Sequence, residues 1–353
     1  MAGEYVALYR KYRPATFKDV LGQEHVVDVL KGALKQGNIA HAYLFSGARG
    51  TGKTSIARIF AQEIGVSGND LYEIDAASNR GIDDIRALRE AVNTLPFESP
   101  YKVYIVDECH MLTKEAFNAL LKTLEEPPKH VIFILATTEI DRLPETIVSR
   151  CETHLFKKPS HAMLKDLVLS VAKKEGTTIE HASADLIAML GDGSFRDTLG
   201  VLQKVISVGA DAKISTDEVE QIVGAPRRQL VNDILHAIAE KNLDGGLKAV
   251  RQAVEHDTDM KVFLKLILQK IRFVLLLRFS TDTAYIKDSL PEADFALLHN
   301  LSKNKDANIS SATLLTLLDS YDQISRAYIP QLPLELALIK IIGQNGTEVD
   351  SKQ

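Results

Sequence analysis

The sequence predicts an α/β fold built on a parallel sheet, followed by two all-α regions. Three observations carry this expectation. From Ala42 to about Phe156, short apolar runs alternate with helix-period segments, as in a sheet whose strands are joined by covering helices. The run Gly47-Ala48-Arg49-Gly50-Thr51-Gly52-Lys53-Thr54 lies between one such strand and one such helix, the setting of a phosphate-binding loop. Beyond Pro159 the alternation stops and only helical periodicity continues.

Strands are expected over 42–46, 71–75, 102–107, 131–136 and 153–156. A helix over 53–64 puts Ile56, Ile59 and Phe60 on one face and ends at Gly65, where a left-handed cap fits. The next helices cover 82–95 and 114–125; the latter is stopped by Pro127-Pro128, which cannot continue a helix. Helices over 162–175, 183–190, 195–208 and 216–223 form a compact all-α unit, bounded by Gly224-Ala225-Pro226. Beyond it lie helices over 229–240, 246–256, 260–279, 293–301, 310–327 and 333–342. Their wide apolar faces suit a bundle or a subunit-packing surface. The polar tail from Asn345 is expected to fray, and no internal repeat is present.

A chain of 353 residues exceeds one core and calls for two or three domains. Hydrophobic content of 45% and charged content of 25% are ordinary for a soluble globular protein. Lys and Arg number 42 against 47 Asp and Glu, a net charge of −5, so any nucleic-acid contact has to be a local basic patch. Cys109 and Cys151 have no metal-ligand spacing and fit a reducing compartment. Residues 1–13 are polar, so no secretory signal is expected. The apolar stretch 262–279 is broken by Lys265, Lys270, Arg272 and Arg278, which reads as a buried amphipathic helix rather than a membrane span. A cytoplasmic protein is expected.

The loop and a second motif together point to chemistry. Glycines let backbone N–H groups close around phosphates. Lys53 brings a point charge to the β and γ phosphates, and the Thr54 hydroxyl can ligate magnesium. Some fifty residues on, the apolar run Val103-Tyr104-Ile105-Val106 ends in Asp107-Glu108. Asp107 can hold the metal through water, and Glu108 can orient or deprotonate an attacking water. The pair predicts binding of a nucleoside triphosphate with magnesium, and its hydrolysis.

Three further residues stay open on position alone. Thr138 closes the next strand and is either a turn-initiating threonine or a contact to the γ-phosphate or its water. Arg150, in Ser149-Arg150-Cys151, is either a solvated surface residue or an arginine offered to a neighbouring subunit's nucleotide. Arg196, in Gly193-Ser194-Phe195-Arg196-Asp197, either pairs with a nearby acid or touches the nucleotide in cis.

Six further stretches stand out: Tyr9-Arg10-Lys11-Tyr12-Arg13-Pro14, Gly22-Gln23, His41-Ala42-Tyr43-Leu44-Phe45, Glu73-Ile74-Asp75-Ala76-Ala77-Ser78, Asp107-Glu108-Cys109-His110-Met111-Leu112, and the run from Phe117 through Leu124-Glu125-Glu126-Pro127-Pro128. Together they resemble the gamma/tau subunits of bacterial DNA polymerase III, the ATPases of the sliding-clamp loader within the AAA+ group. The likeness is dense over about residues 5–225 and rests on helical layout beyond.

The resemblance implies an AAA+ nucleotide-binding domain over 1–159, a helical lid over 160–224, a collar for subunit assembly over 225–344 and a flexible tail over 345–353. It implies ATP contacts at Gly47, Gly50, Thr51, Gly52, Lys53, Thr54, Ser55 and Arg196, with Arg10 and the Tyr12-Arg13-Pro14 stretch near the base and ribose. Magnesium would be held by Thr54 and Asp107. Lys53 and Glu108 would act in catalysis, with Thr138 and Arg196 as sensors and Arg150 as a finger on the adjacent subunit's nucleotide.

The implied partners are other loader subunits in a hetero- or homo-oligomer, the sliding clamp and primer–template DNA, with no membrane. Arg80, Arg86 and Arg89 are candidate DNA contacts, although Asp83, Asp84 and Glu90 beside them equally suit a plain solvated helix.

Most relatives insert a four-cysteine zinc module between the helix after the loop and the following strand. Here only Val66-Ser67-Gly68-Asn69-Asp70 stands there, so no zinc is expected. The resemblance further implies that the polymerase- and helicase-binding extension of longer family members is not expected within residues 1–353. Two alternatives are a non-hydrolysing scaffold subunit, which would be expected to lose loop residues, and a branch-migration helicase subunit, which would carry a winged helix after the lid.

Overall fold

The computed structural model describes residues 6–79, 81, 88, 90–208, 213–280, 283, 286, 290, 292–304 and 306–343. The chain divides into two compact units, Met1–Val171 with Ile187–Gln203, and Ala172–Leu186 with Lys204–Gln353.

The first unit is organised by five parallel strands: β1 (Ala42–Gly47), β2 (Leu71–Asp75), β3 (Lys102–Asp107), β4 (Val131–Thr137) and β5 (Glu152–Phe156). Their order is β2-β3-β4-β1-β5. Each expected strand is present, with ends shifted by at most one residue. Strands β1, β3 and β4 lie inside the sheet and are buried almost throughout, hence their unbroken apolar composition. The edge strand β5 alternates exposed and buried residues over its second half.

Helices cover both faces of the sheet. Following α1 (Leu8–Lys11) come α2 (Glu24–Gln36), α3 (Lys53–Glu63), α4 (Lys114–Glu125) and α5 (Glu145–Val148). Because strand side chains alternate, Tyr43, Phe45, Ile105 and Ile134 enter the core against α2 and α3. Leu44, Tyr104, Val106, Phe133 and Leu135 enter the opposite one, with Phe117 and Leu120 of α4.

Helix α2 was not among the expected elements, although Val26, Val27 and Leu30 bury one face at helical spacing. Helix α3 ends as expected. Gly65 is left-handed, and Val66 donates to the Ala61 carbonyl at 3.0 Å. Of the expected helix over 82–95, only Leu88 and residues 90–95 are described, helical to Val92; Arg80, Arg86, Arg89, Asp83 and Asp84 lie outside the described residues.

The short segment between α3 and β2 is tied down by a buried carboxylate. Asp70 accepts backbone N–H groups from Phe97, Glu98 and Ser99 at 2.6, 3.0 and 2.9 Å. Ser67 N–H donates to Ser99 Oγ at 2.9 Å, and Ser67 Oγ and Asn69 Nδ2 both donate to Glu98. Burial alone would raise the Asp70 pKa. The backbone donors and the Ser99 hydroxyl outweigh it and hold the group at about 2.

After β5 come α6 (His161–Lys174), α7 (His181–Leu190) and α8 (Phe195–Val208). The helices of the second unit are α9 (Thr216–Val223), α10 (Arg228–Glu240), α11 (Leu243–Glu255), α12 (Met260–Phe279), α13 (Glu292–Lys303), α14 (Ser311–Ile324) and α15 (Leu332–Leu338). All were expected, within about four residues at each end. The expectation of a purely helical chain beyond Pro159 needs correction. β6 (Thr178–Ile179) and β7 (Lys213–Ile214) form a parallel pair that buries Ile179 and Ile214. Two residues are too few to leave a period in the sequence. The tail from Asn345 lies outside the described residues.

The core of this unit gathers Ile234, Ile238, Val250, Phe263, Leu264, Ile267, Leu298, Leu317 and Leu334. One buried polar cluster interrupts it. Lys270 Nζ lies 3.0 Å from Asp294 Oδ2 and donates to Asn232 Oδ1 at 2.7 Å, while Asn232 Nδ2 donates to Asp294 Oδ1 at 3.2 Å. Arg278 caps the end of α13, donating to the carbonyls of Leu301, Ser302, Asn304 and Ile309. Among the described residues, no helix is long and apolar enough to cross a membrane.

Two stability effects follow. Because the folded-state pKa of Asp70 is depressed, its contribution is present above the unfolded value of about 4 and is lost as pH falls toward about 2. Thermal melts between those pH values should show that loss in the wild type and a flatter profile in Asp70→Asn, which starts less stable at neutral pH. Lys270→Met removes the nearer of two cations at the buried Asp294, leaving Arg228 Nε at 3.7 Å, and should cost up to about 3–5 kcal/mol in urea unfolding. The double variant Lys270→Met/Asp294→Leu should recover much of it.

Candidate phosphate-binding site

Strand β1 runs straight into the loop, and α3 starts at Lys53. The first-turn N–H groups of α3 are therefore directed at whatever the loop encloses, with the positive end of the helix dipole behind them. Gly50 is left-handed at φ 72°, and a Cβ there would stand 2.0 Å from Ser194 Oγ. Its carbonyl accepts the Phe195 N–H at 3.0 Å, so the start of α8 sits directly on the loop.

Lys53 is buried, and its Nζ donates to the carbonyls of Gly47 and Ala48 at 2.7 and 3.0 Å. Burial lowers its pKa, while Glu108 and Asp107 raise it. Thr54 Oγ1 donates to Asp107 Oδ2 at 2.8 Å, which joins the start of α3 to the end of β3. A hydroxyl and a carboxylate so placed are a hard-oxygen donor set suited to magnesium, which takes few protein ligands beside substrate phosphates. Among the described residues no group of three or more His, Cys, Asp or Glu side chains gathers as a metal site.

Glu108 has a left-handed backbone at φ 49°, costly for a residue with a Cβ. Its Oε2 accepts from Thr138 Oγ1 at 3.0 Å and lies 3.5 Å from His110 Nδ1. The His110 side chain is 6% exposed, its Nδ1 3.0 Å from Thr137 Oγ1 and its Nε2 3.5 Å from Glu139 Oε1. The ends of β3 and β4 thus enclose the Glu108 carboxylate in polar partners.

A cavity of about 710 Å³ opens beside the loop, within the range of small-molecule sites. It is lined by Arg10, Arg49, Gly50, Thr51, Gly52, Lys53, Thr54, Ser55, Asp107, Glu108 and Arg196, with Tyr9, Arg13, Arg58 and Glu73 among the others. The cationic groups outnumber the acidic ones there, as a polyanion requires. The Arg196 guanidinium lies 5.0 Å from the centre of the Tyr9 ring, and that of Arg10 lies 5.9 Å from it. Arg13 Nε donates to Ser55 Oγ at 2.9 Å. Burial lowers the Arg13 pKa and Arg58 lowers it further, against Glu73 and Asp107. Arg58 is ion-paired with Glu73.

Most sequence-proposed residues therefore meet around one cavity. Gly47 lies outside its lining, packed on Phe156, and Thr138 reaches the site through Glu108. Arg150 is not part of the lining: its Nη2 pairs with Glu125 at 2.7 Å and its Nη1 donates to the Thr146 carbonyl at 2.8 Å. The sequence assigned no role to Tyr9, Gln23, His110 and Ser194, and placed Arg13 only as part of the Tyr12-Arg13-Pro14 stretch expected near the base and ribose. All but Ser194 lay within quoted motifs, and Ser194 lay beside Arg196 in the fragment discussed with it.

Comparison with known proteins bears on the whole chain. The family described as DNA polymerase III, delta subunit, matches residues 22–75 and 67–160, and that described as DNA polymerase III subunits gamma and tau domain III matches residues 214–350. The DNA polymerase III subunit tau of Bacillus subtilis (strain 168) is 35% identical over 358 residues, covering 96% of this chain and 63% of its own. The subunit gamma/tau of Mycobacterium tuberculosis (strain ATCC 25618 / H37Rv) is 34% identical over 373 residues, 98% of this chain and 64% of its own. This chain thus spans less than two thirds of either relative.

The subunit gamma of Buchnera aphidicola subsp. Baizongia pistaciae (strain Bp) is 34% identical, with 80% of this chain and 84% of that one covered. Among solved structures, the Thermotoga maritima RuvB Holliday junction branch migration motor aligns with a TM-score of 0.52 at 24% identity, over 73% of this chain and 91% of that one. That likeness speaks for the fold alone, an α/β domain on a parallel sheet. With both halves matched and relatives above 30% identity aligned over 80–96% of this chain, the chain belongs to the gamma/tau subunit family of DNA polymerase III.

Proposed function

We propose that this chain is an ATPase subunit of the clamp loader, using ATP binding and hydrolysis to open a sliding clamp and load it onto primer–template DNA. One observation carries the reading: the Thr54 hydroxyl meets the Asp107 carboxylate at 2.8 Å, beside Glu108, in a cavity rich in cationic groups. Loop N–H groups and Lys53 hold the phosphates, and Arg10 and Tyr9 lie toward the nucleoside. Thr54 and Asp107 would hold magnesium, which would supply positive charge to offset that of the phosphates.

Glu108 aligns water against the γ-phosphorus and takes up its proton as the bond to the β-phosphate oxygen breaks. Thr138 fixes one oxygen of that carboxylate, which leaves the other for water. Arg196 approaches the nucleotide in cis. Arg150, outside this cavity and half-exposed, acts on the nucleotide of a neighbouring subunit.

We further propose that residues 1–159 bind the nucleotide, 160–224 act as a lid, and 225–344 assemble subunits as a collar in the cytoplasm. The DNA is held through backbone phosphates at local basic positions, because loading cannot depend on base sequence.

Glu108→Gln should bind ATP about as tightly as the wild type and lose about 100-fold or more in turnover, measured by phosphate release with primed DNA and clamp. Full turnover would remove Glu108 from the mechanism. Arg150→Ala should leave ATP affinity of the isolated chain unchanged within about twofold while lowering hydrolysis in the assembled loader by about 100-fold or more. Equal loss in chain and assembly would assign the arginine to its own nucleotide.

A further inference from the structure

Gln23 immediately precedes α2 and is completely buried, yet it satisfies its amide on backbone groups alone. Its Oε1 accepts the Lys157 N–H at 3.1 Å, and its Nε2 donates to the Lys157 carbonyl at 2.7 Å and reaches the Thr51 carbonyl at 3.4 Å. The residue before it, Gly22, is left-handed, and a Cβ there would stand 2.7 Å from Met163 Sδ on α6. One dipeptide therefore touches the phosphate loop, the stretch leaving β5 and the helix that follows. Volume does not explain the choice: Met would fill the same space with no amide to satisfy.

The geometry points to Gln23 as a positioning residue for the phosphate loop. It holds the Thr51–Gly52 peptide in place and couples the loop to the β5–α6 connection. In a trans peptide the carbonyl and the following N–H point in opposite directions. Drawing the Thr51 oxygen toward Gln23 turns the Gly52 N–H away from it, and Gly52 lines the cavity. Any shift of the loop on binding phosphate is passed through Lys157 to the start of α6. This inference rests on the ATP reading for its ligand; the mechanical link does not.

The test uses the full chain and two variants, with two measurements: hydrogen–deuterium exchange of the loop peptide over 47–55 without nucleotide, and the Kd for ATP with magnesium. Gln23→Met, of matching volume, should speed loop exchange and weaken ATP about tenfold, the scale of losing one or two hydrogen bonds. Unchanged exchange with unchanged affinity would overturn the inference. Faster exchange with unchanged affinity would overturn it too, since Gln23 would then only support the fold.

Gln23→Glu gives a second arm that does not depend on Gln23→Met folding. At about pH 8 its ionised carboxylate accepts only and faces two carbonyl oxygens; at about pH 5.5 its burial-favoured protonated form donates to Lys157 again. Loop protection, relative to wild type at each pH, should return on acidification in this variant, and a flat ratio would overturn the link. Should wild-type protein fail to bind ATP, the functional reading falls while the exchange comparison still decides whether Gln23 holds the loop.

Discussion

The hydrogen bond from Thr54 to Asp107 ties the helix that follows β1 to the end of β3, a strand that is not β1's neighbour, and the site depends on the register that allows it. β4 lies between β1 and β3, with Leu135 opposite Leu44 on one side and Val106 on the other. All three strands therefore finish at the same edge, where the loop leaves β1, Asp107 leaves β3 and Thr138 leaves β4. A slip of one residue in either pairing would turn Asp107 toward the opposite face and exchange the two hydrophobic cores. Burial of Tyr43 and Phe45 on one face and Leu44 and Tyr104 on the other makes such a slip costly.

Charge is handled differently at the centre and at the edge of that site. Lys53 keeps its ammonium in a buried position by donating to two loop carbonyls, so the cation is held ready within the loop rather than swinging in from solvent. Glu108 accepts a strained backbone and is stabilised by Thr138, with His110 close by. Arg150 belongs to neither set. Its guanidinium is occupied by Glu125 and the Thr146 carbonyl on a half-exposed surface, an arrangement that orients it without committing it to the cavity beside its own loop.

Polar groups also organise the rest of the chain. Between α3 and β2, Asp70 draws three successive N–H groups of the segment before β3 onto one carboxylate, and Ser67 and Asn69 reinforce the tie. In the second unit, Lys270, Asp294 and Asn232 satisfy one another inside an apolar core, which specifies the register of α10, α12 and α13 more sharply than methyl groups would.

Sequence alone determined the five parallel strands, nearly all helices and the membership of the loop site, because apolar periodicity and the spacing of Gly, Lys, Thr, Asp and Glu are local properties. It missed α2, whose apolar face is narrow, and the two-residue strands β6 and β7, which carry no period. Position alone also left Thr138, Arg150 and Arg196 open. What each of them touches needed three dimensions: Thr138 meets Glu108 across 30 residues, Arg196 meets Tyr9 across the first unit, and Arg150 turns elsewhere. Gln23 makes the same point, since its partners at Thr51 and Lys157 are 28 and 134 residues away. What a side chain is becomes legible from the chain order, but which backbone atom it finds is decided only when the sheet brings distant segments to one edge.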